Sequence, residues 1–246
     1  MKVKLTVFVS LILIAIIGII ITPSEAQHSS TQEQISLLEQ KKNKVGLRLN
    51  EHVQLAKLKG EKKLFIPFSY NTIFYSGFKD MDTAAAVYSV VIAQPVTMKT
   101  LLKDNERINT LYKFRTLEVL SEPAQSKFPY TFTGNPPAEL QPLQEGEFLV
   151  SLSGGTTTLE GIEVTAKYDN FEPFSLSKKY LLFVEFDTTR RVGGMDMGPL
   201  SALAINDDGT LETLDKQKHK IKATIDEHFD NSLEKLKAYL KTRAKS

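Results

Sequence analysis

Few residues of this chain have the types and spacing that covalent catalysis requires. Ser175 and Lys178 match the S-x-x-K spacing, in which a lysine activates a nucleophilic serine one helical turn away in some acyl-transfer enzymes. Here the match lies just before a predicted strand, and the S-D-N and K-T-G motifs of those enzymes are missing from the sequence. We therefore interpret it as a coincidence in a stretch rich in serine and lysine.

Metal and cofactor ligands are equally sparse. The four histidines are His28, His52, His219 and His228. They form no H-x-H or H-E-x-x-H pattern, and the absence of cysteine excludes zinc ribbons, iron–sulfur sites and thiol catalysis. Residues 206–209 (NDDG) lack the oxygen spacing of a calcium loop and predict a hairpin turn, and the glycine-rich loop 192–199 lacks the context of a phosphate cradle. The sequence predicts no cofactor, no metal site and no catalytic residue.

A long proline-rich connection offers the best candidate for binding. Residues 121–147 contain five prolines and three alternating aromatic residues, Phe128, Tyr130 and Phe132. Long connections are uncommon in compact domains and often carry function. These aromatic residues either form a short extra strand that fills the core or present a binding loop to a peptide or glycan. Tyr75 would extend that surface if it were exposed beside them.

The N-terminus has the pattern of an export segment. Lys2 and Lys4 precede an apolar run over residues 5–22, Pro23 follows, and Ser24 and Ala26 place small residues before Gln27 as signal peptidase requires. A run of this length fits either a signal peptide over residues 1–26 or an uncleaved membrane anchor that contacts the bilayer through residues 5–22. Both place the rest of the chain outside the cytoplasm, periplasmic or secreted. An exported chain without cysteine is typical of bacteria.

Charge is distributed unevenly along the rest of the sequence. Residues 39–63 carry eight Lys/Arg against three Glu, and residues 215–246 carry nine basic against five acidic residues. Residues 64–214 carry twelve basic against nineteen acidic residues. The basic ends either attract the acidic centre or contact an anionic membrane or cell-wall polymer. No basic cluster is interleaved with aromatic residues, so we expect no nucleic-acid partner.

The hydrophobic pattern predicts a mainly β fold. Residues 27–63 form a polar, basic extension with one short alternating segment at 44–49. Residues 64–214 contain six to eight short strand patterns separated by turn signals, which indicates a small barrel or sandwich; Pro95 is expected to end one strand. Residues 215–246 predict one amphipathic helix. Its apolar stripe comprises Ile225, Phe229, Leu233, Leu236 and Leu240.

The order of these features between Asp82 and Leu214 resembles a group of exported bacterial proteins. The segments that carry the resemblance are VYSVVIAQPV, YKFRTLEVL, FLVSLSGGTTT, the F-x-x-x-x-K-Y-L-L-F stretch from Phe174 to Phe183, and DDGTL. The resemblance implies a small OB-like barrel, distantly similar to netrin-type modules. Those modules tether their N-terminus through cysteine, which this chain lacks, so the resemblance assigns no functional residues.

Three functions are compatible with these features. The first is a non-enzymatic extracytoplasmic module that binds another protein or a component of the cell envelope. The second is a hydrolase whose active site comes from residues scattered along the sequence. The third is a structural part of an envelope assembly, in which the C-terminal helix docks on a partner.

Overall fold

A computed structural model describes most of the chain. The described residues are 23–68, 80–103, 107–122, 136–168, 171–187, 191–194, 201–214 and 220–243. Contacts between Cα atoms divide the chain into two compact units. The first comprises residues 1–64 with 160–162, and the second comprises residues 65–159 with 163–246. The chain is mainly β, as the sequence predicts.

Two helices form most of the described part of the first unit. Helix α1 spans Pro23–Val45 and helix α2 spans Leu49–Leu58. The alternating segment at 44–49 predicts a strand, and this prediction is wrong. Leu49 instead begins helix α2, which buries Val53 and Ala56 at helical spacing. Glu51 supports this helical start, since its carboxylate accepts a hydrogen bond of 3.0 Å from the backbone N–H of Arg48.

The described residues contain ten strands. They are β1 Lys63–Phe68, β2 Ser89–Lys103, β3 Arg107–Ser121, β4 Glu147–Ser153, β5 Gly155–Leu159, β6 Ile162–Tyr168, β7 Lys179–Asp187, β8 Val192–Gly194, β9 Ala202–Ile205 and β10 Leu211–Thr213. The helices that accompany them in the second unit are α3 Met81–Val87, α4 Lys220–Phe229 and α5 Leu233–Arg243. Helix α3 has a capped start, because the side chain of Asp80 accepts the backbone N–H of Thr83 at 2.7 Å.

Five of the strands close into a ring. The larger sheet has the order β10-β9-β7-β2-β3-β4-β8, and β8 also pairs with β7. The β4–β8 pairing is parallel, with Leu149 opposite Val192, whereas β7 and β8 are antiparallel, with Glu185 opposite Gly194. Strands β2, β3, β4, β8 and β7 therefore form a closed circuit of backbone pairing. Strands β1, β6 and β5 form a separate three-stranded sheet.

A cluster of buried aromatic and aliphatic side chains fills the inside of this ring. Four of the five ring strands contribute to this cluster, which identifies the cluster as the inner core. Its members are Val91, Ala93, Tyr112, Phe114, Phe148, Val150, Leu152, Phe171, Phe174, Tyr180, Leu182, Val184, Ala202, Ala204 and Leu214. The ring of Phe174 lies edge-on to Tyr112 and Tyr180, with centroids 4.9 and 4.8 Å away. Burial raises the pKa of Tyr112 to about 12.

The opposite face of β2 and β7 is covered by the C-terminal helices. Val90, Ile92, Leu181 and Phe183 lie in one buried cluster with residues of α3, α4 and α5. All five residues of the predicted apolar stripe are buried in this cluster: Ile225, Phe229, Leu233, Leu236 and Leu240. The stripe therefore packs on the chain's own sheet.

The predicted single helix is divided into two. Asp230 and Asn231 adopt φ values of +50° and +53°, which lie in the left-handed region and interrupt the helix. Asp and Asn tolerate this region better than most residues. The Asn231 side-chain oxygen accepts a hydrogen bond of 3.1 Å from the backbone N–H of Leu211, which fixes the break against β10.

Strand β2 continues through Pro95, which was expected to end it. The pairing with β3 shifts register between Pro95 and Thr97, so that one additional residue of β2 is accommodated there. A bulge removes the need for a ladder hydrogen bond at that position, which proline could not donate.

Residues 136–146 lie against the outer face of β3 and β4. Leu140 is buried there in a small cluster with Leu111, Leu149 and Val192. Lys99 pairs with Glu139 at 3.0 Å, and the Arg191 guanidinium donates to the carbonyl of Gln144 at 2.6 Å. The segment is thus fixed to the ring by one buried leucine and by polar contacts on both sides.

Candidate functional site

The aromatic residues that the sequence favours lie outside the described part of the chain. This applies to Phe128, Tyr130 and Phe132, and also to Tyr75. The proposed export run over residues 5–22 also falls there. Among the helices of the described ranges, none has both the length and the hydrophobicity to cross a membrane.

A groove of about 630 Å³ lies on the second unit, on the face covered by α5. Strands β2 and β3, the start of β7, the turn after β9 and the first turns of α5 contribute to it. Its lining residues are Ile92, Leu117, Glu118, Ser177, Lys178, Lys179, Ile205, Asn206, Asp207, Gly209, Leu233 and Lys237. A concave site of this size is large enough for a small molecule or a short peptide segment.

Two sequence motifs that suggest no chemistry by themselves meet in this groove. Ser177 and Lys178 come from the S-x-x-K match, and Asn206 and Asp207 come from the NDDG segment. They meet because β7 and β9 pair antiparallel with Lys179 opposite Ile205. Sequence reasoning considers each segment alone and misses the site, since nothing in either segment specifies this pairing.

The S-x-x-K segment is a turn anchored on the inner core. The backbone N–H of Ser175 donates to the Tyr180 hydroxyl at 2.8 Å, and Lys178 N–H returns to the Ser175 carbonyl at 3.2 Å. The Ser175 and Ser177 hydroxyl oxygens lie 2.9 Å apart. The serine hydroxyls thus bond to each other in a turn, whereas the acyl-transfer arrangement places serine and lysine on one helical turn. The turn presents Lys178 at the groove.

The NDDG segment is a hairpin turn, as predicted. Asp208 accepts hydrogen bonds from the backbone N–H and the hydroxyl of Thr210, at 2.9 and 2.6 Å. These bonds lower the pKa of the Asp208 carboxyl. The Leu233 N–H donates to the Gly209 carbonyl at 3.0 Å, which fixes the start of α5 against this turn. The NDDG turn and the start of α5, which both line the groove, are therefore joined by a backbone hydrogen bond.

A cluster of ion pairs joins β3 to α5 beside the groove. The Glu118 carboxylate lies 2.8 Å from the ammonium of Lys237 and 2.9 Å from that of Lys241. Bonds from Lys237 and then Lys241 lower the pKa of Glu118, and the bond to Glu118 raises the pKa of Lys237. Both shifts stabilise the charged forms, whereas general acid–base catalysis requires pKa values close to the working pH. This pair is built to position α5 and to carry charge.

The remaining cations of the groove are Lys178 and Lys179. Lys178 and Lys179 are exposed, and neither forms an ion pair with any described residue. Leu117, which also lines the groove, and Leu176, next to Ser177, are each 47% exposed. The rim therefore combines two available positive charges with exposed aliphatic surface.

A second charged cluster lies on the outer face of β3 and β4. Glu147 is 3% exposed, pairs with Lys113 at 3.0 Å and accepts the Gln144 N–H at 2.9 Å. The bond from Gln144 is the largest cause of the lowered pKa of Glu147, followed among the lowering effects by Lys113. This carboxylate fastens the 136–146 segment to the ring.

Metal ligands do not converge in the part of the chain that the structure describes: no three His, Asp or Glu side chains come together there. His52 lies in α2, where burial lowers its pKa, and His228 lies in α4. His219 is outside the described residues, as is the side chain of His28.

Known protein families and curated sequences show no relative of this chain. No model of a protein family matches the chain, and no curated protein sequence matches it either.

Proposed function

We propose that the second unit is an OB-like barrel that acts as a non-enzymatic interaction module outside the cytoplasm. In this proposal the groove beside α5 receives a segment of another protein. The observation that carries the proposal is the groove itself, which joins an aliphatic floor to a charged rim on a preformed scaffold.

The strand order supports the OB-like assignment. An OB-fold is a five-stranded Greek-key barrel. The circuit β2-β3-β4-β8-β7 has five strands, and its first three are sequential antiparallel neighbours. The return through β8 uses one parallel pairing, with β4, before β7 pairs back to β2. In an up-and-down barrel each strand pairs with its neighbours in sequence, so the parallel pairing of β4 with β8 distinguishes this circuit from such a barrel.

The charge states of the groove support binding rather than proton transfer. The directions of the Glu118 and Lys237 shifts keep an anion and a cation in place across the neutral pH range. Fixed charges beside apolar surface give a binding site orientation and specificity. The export pattern of residues 1–26 and the absence of cysteine support the location.

Site-specific photocrosslinking tests the proposal. A photoreactive amino acid replaces Leu117 or Asp207, which line the groove from opposite walls, in the full chain expressed in its own cells. We expect both positions to give the same adduct with one protein. The matched control is Leu102, an exposed leucine of β2 away from the groove. Identical adducts at Leu102, or unrelated adducts at the two groove positions, would contradict the proposal.

A further inference from the structure

We propose that the groove selects an extended peptide segment in which a carboxylate side chain adjoins an aliphatic one, with Lys178 and Lys179 binding the carboxylate. This inference rests on the proposed function and specifies its ligand. Three properties of the groove support it: positive charges available for a ligand, exposed apolar surface, and carboxylates in the same lining.

Positive charge is available at two adjacent residues. Lys237 already has two carboxylate partners, Glu118 at 2.8 Å and Glu234 at 3.2 Å. Lys178 and Lys179 line the same groove and have no ion-pair partner among the described residues. An ammonium donates up to three hydrogen bonds, so each of these two lysines can bind a carboxylate oxygen of a ligand in the groove.

Apolar surface is open next to these lysines. Leu117 contributes a side chain that is 47% exposed, and the partly buried Ile205 lies in the same lining, together with the buried Ile92 and Leu233. Covering the exposed part of this surface with an aliphatic side chain removes apolar area from water, which favours binding. The ligand is therefore expected to carry a Leu, Ile or Val side chain beside its carboxylate.

The anions in the groove favour a peptide over a polyanionic polymer. Asp207 lies in the same lining as Lys178 and Lys179, and so does Glu118, which is paired with Lys237 and Lys241. A repeating phosphate polymer would place like charges against these carboxylates, which is unfavourable in a partly enclosed site. A peptide instead offers one carboxylate to the lysines and backbone N–H groups to the carboxylates. The mixed signs of the groove thus match the alternating donors and acceptors of an extended chain.

The site is preorganised for such a ligand. The Tyr180 hydroxyl holds the turn before Lys178, and Asp208 holds the turn that carries Asp207. Rigid walls reduce the ordering cost that binding must overcome. The flexible stems of the lysines are the part that adjusts to the carboxylate.

A peptide selection tests the inference. A library of short random peptides, displayed on phage, is selected on the immobilised full chain and on the double variant Lys178→Gln/Lys179→Gln. The matched control is Lys42→Gln/Lys44→Gln, which removes the same charge from two exposed lysines of α1. Synthetic copies of the enriched peptides are then titrated by fluorescence anisotropy at low and at physiological salt.

We expect the wild-type chain and the control variant to enrich peptides with Asp or Glu beside Leu, Ile or Val. The double variant should bind those peptides about tenfold or more weakly, since the charge-assisted bonds to the peptide carboxylate are lost. Replacing the acidic residue of the peptide by its amide should weaken wild-type binding to a similar extent and leave the double variant unaffected.

Other outcomes overturn the inference in distinguishable ways. Enriched peptides without acidic residues that still crosslink at Leu117 would overturn the ligand chemistry and leave the interaction module intact. Polyphosphate binding that is lost in Lys178→Gln/Lys179→Gln, without peptide enrichment, would replace the peptide by an anionic polymer. No enrichment together with no shared adduct at Leu117 and Asp207 would overturn both proposals.

Discussion

At Gly155 the backbone of β5 lies close to the β2–β3 hairpin. Its φ is +131°, and a Cβ atom there would lie 2.3 Å from the Thr110 hydroxyl and 2.8 Å from atoms of Thr100. These threonine hydroxyls bond to each other at 3.0 Å, so the neighbours are already held in place. Only glycine combines this backbone conformation with this distance.

We therefore predict that Gly155→Ala destabilises the protein by about 2–4 kcal/mol, from backbone strain together with overpacking. The matched control is Gly146→Ala, at φ +72° with no atom within 4 Å of the added Cβ, which should cost only about 1–2 kcal/mol. Urea unfolding measures both. Equal losses in the two variants would mean that the contact with Thr110 has no energetic role.

The charge of Glu147 stabilises the outer face of the ring through its bonds to Lys113 and Gln144. Its folded-state pKa is lowered, so the unfolded chain binds more protons in the range between the lowered value and the ordinary 4.5. The stabilisation is therefore fully present above about pH 4.5 and is lost as the pH falls through the lowered pKa.

We predict that Glu147→Gln lowers the free energy of unfolding by about 1–3 kcal/mol at pH 7, because Lys113 loses a largely buried partner. The difference between variant and wild type should shrink at pH 3, because the carboxyl of the unfolded wild-type chain binds a proton below its ordinary pKa of 4.5 and the unfolded state is thereby favoured. Urea unfolding at the two pH values measures it, with the exposed Glu139→Gln as control. A difference that does not change with pH would show that packing, not charge, is what Glu147 supplies.

Helices α4 and α5 are structural elements of the second unit. They bury the outer side of β2 and β7, including Ile92, Leu181 and Phe183. The hypothesis that the C-terminal helix is free to dock on a partner requires an apolar stripe that the sheet does not use, and the stripe is already buried here.

We predict that deleting residues 220–243 exposes this sheet face and prevents stable folding of the second unit. Truncation after Arg243 is the control, because it removes no residue of α5. Soluble yield and thermal unfolding distinguish the two truncated chains. A deletion variant that unfolds cooperatively at the wild-type temperature would restore the docking hypothesis.

The elements also show where sequence patterns are informative. Alternation and turn chemistry locate most strands, and the apolar stripe locates the buried face of the C-terminal helices. The patterns fail where tertiary contacts override local preference: a bulge lets β2 pass Pro95, and a bond from Leu211 to Asn231 divides the last helix. The groove could not be predicted, because it depends on the pairing of Lys179 with Ile205, which local pattern does not encode.

At the scale of the whole molecule, the N-terminal export pattern makes a separate prediction. Signal peptidase cleavage after Ala26 would leave a chain that begins at Gln27, inside the segment that α1 spans. We expect intact mass and N-terminal sequencing of the protein from its own cells to give this product. An Ala26→Arg variant, which removes the small residue before the cut, should keep residues 1–26. A wild-type chain that retains Met1 in the membrane fraction would instead establish the anchor.

The closure of the ring by β8 has a consequence for the order in which the protein can fold. During synthesis the β2–β3–β4 meander can form from neighbouring segments, but Val192–Gly194 must appear before β4 and β7 are joined. Leu236 and Leu240, which cover the outside, are made later still. Until then the nascent chain is an open sheet with an aromatic surface on one side and an aliphatic surface on the other. Such an intermediate exposes hydrophobic surface on both sides of the sheet, and it is prone to aggregation until the C-terminal helices are in place.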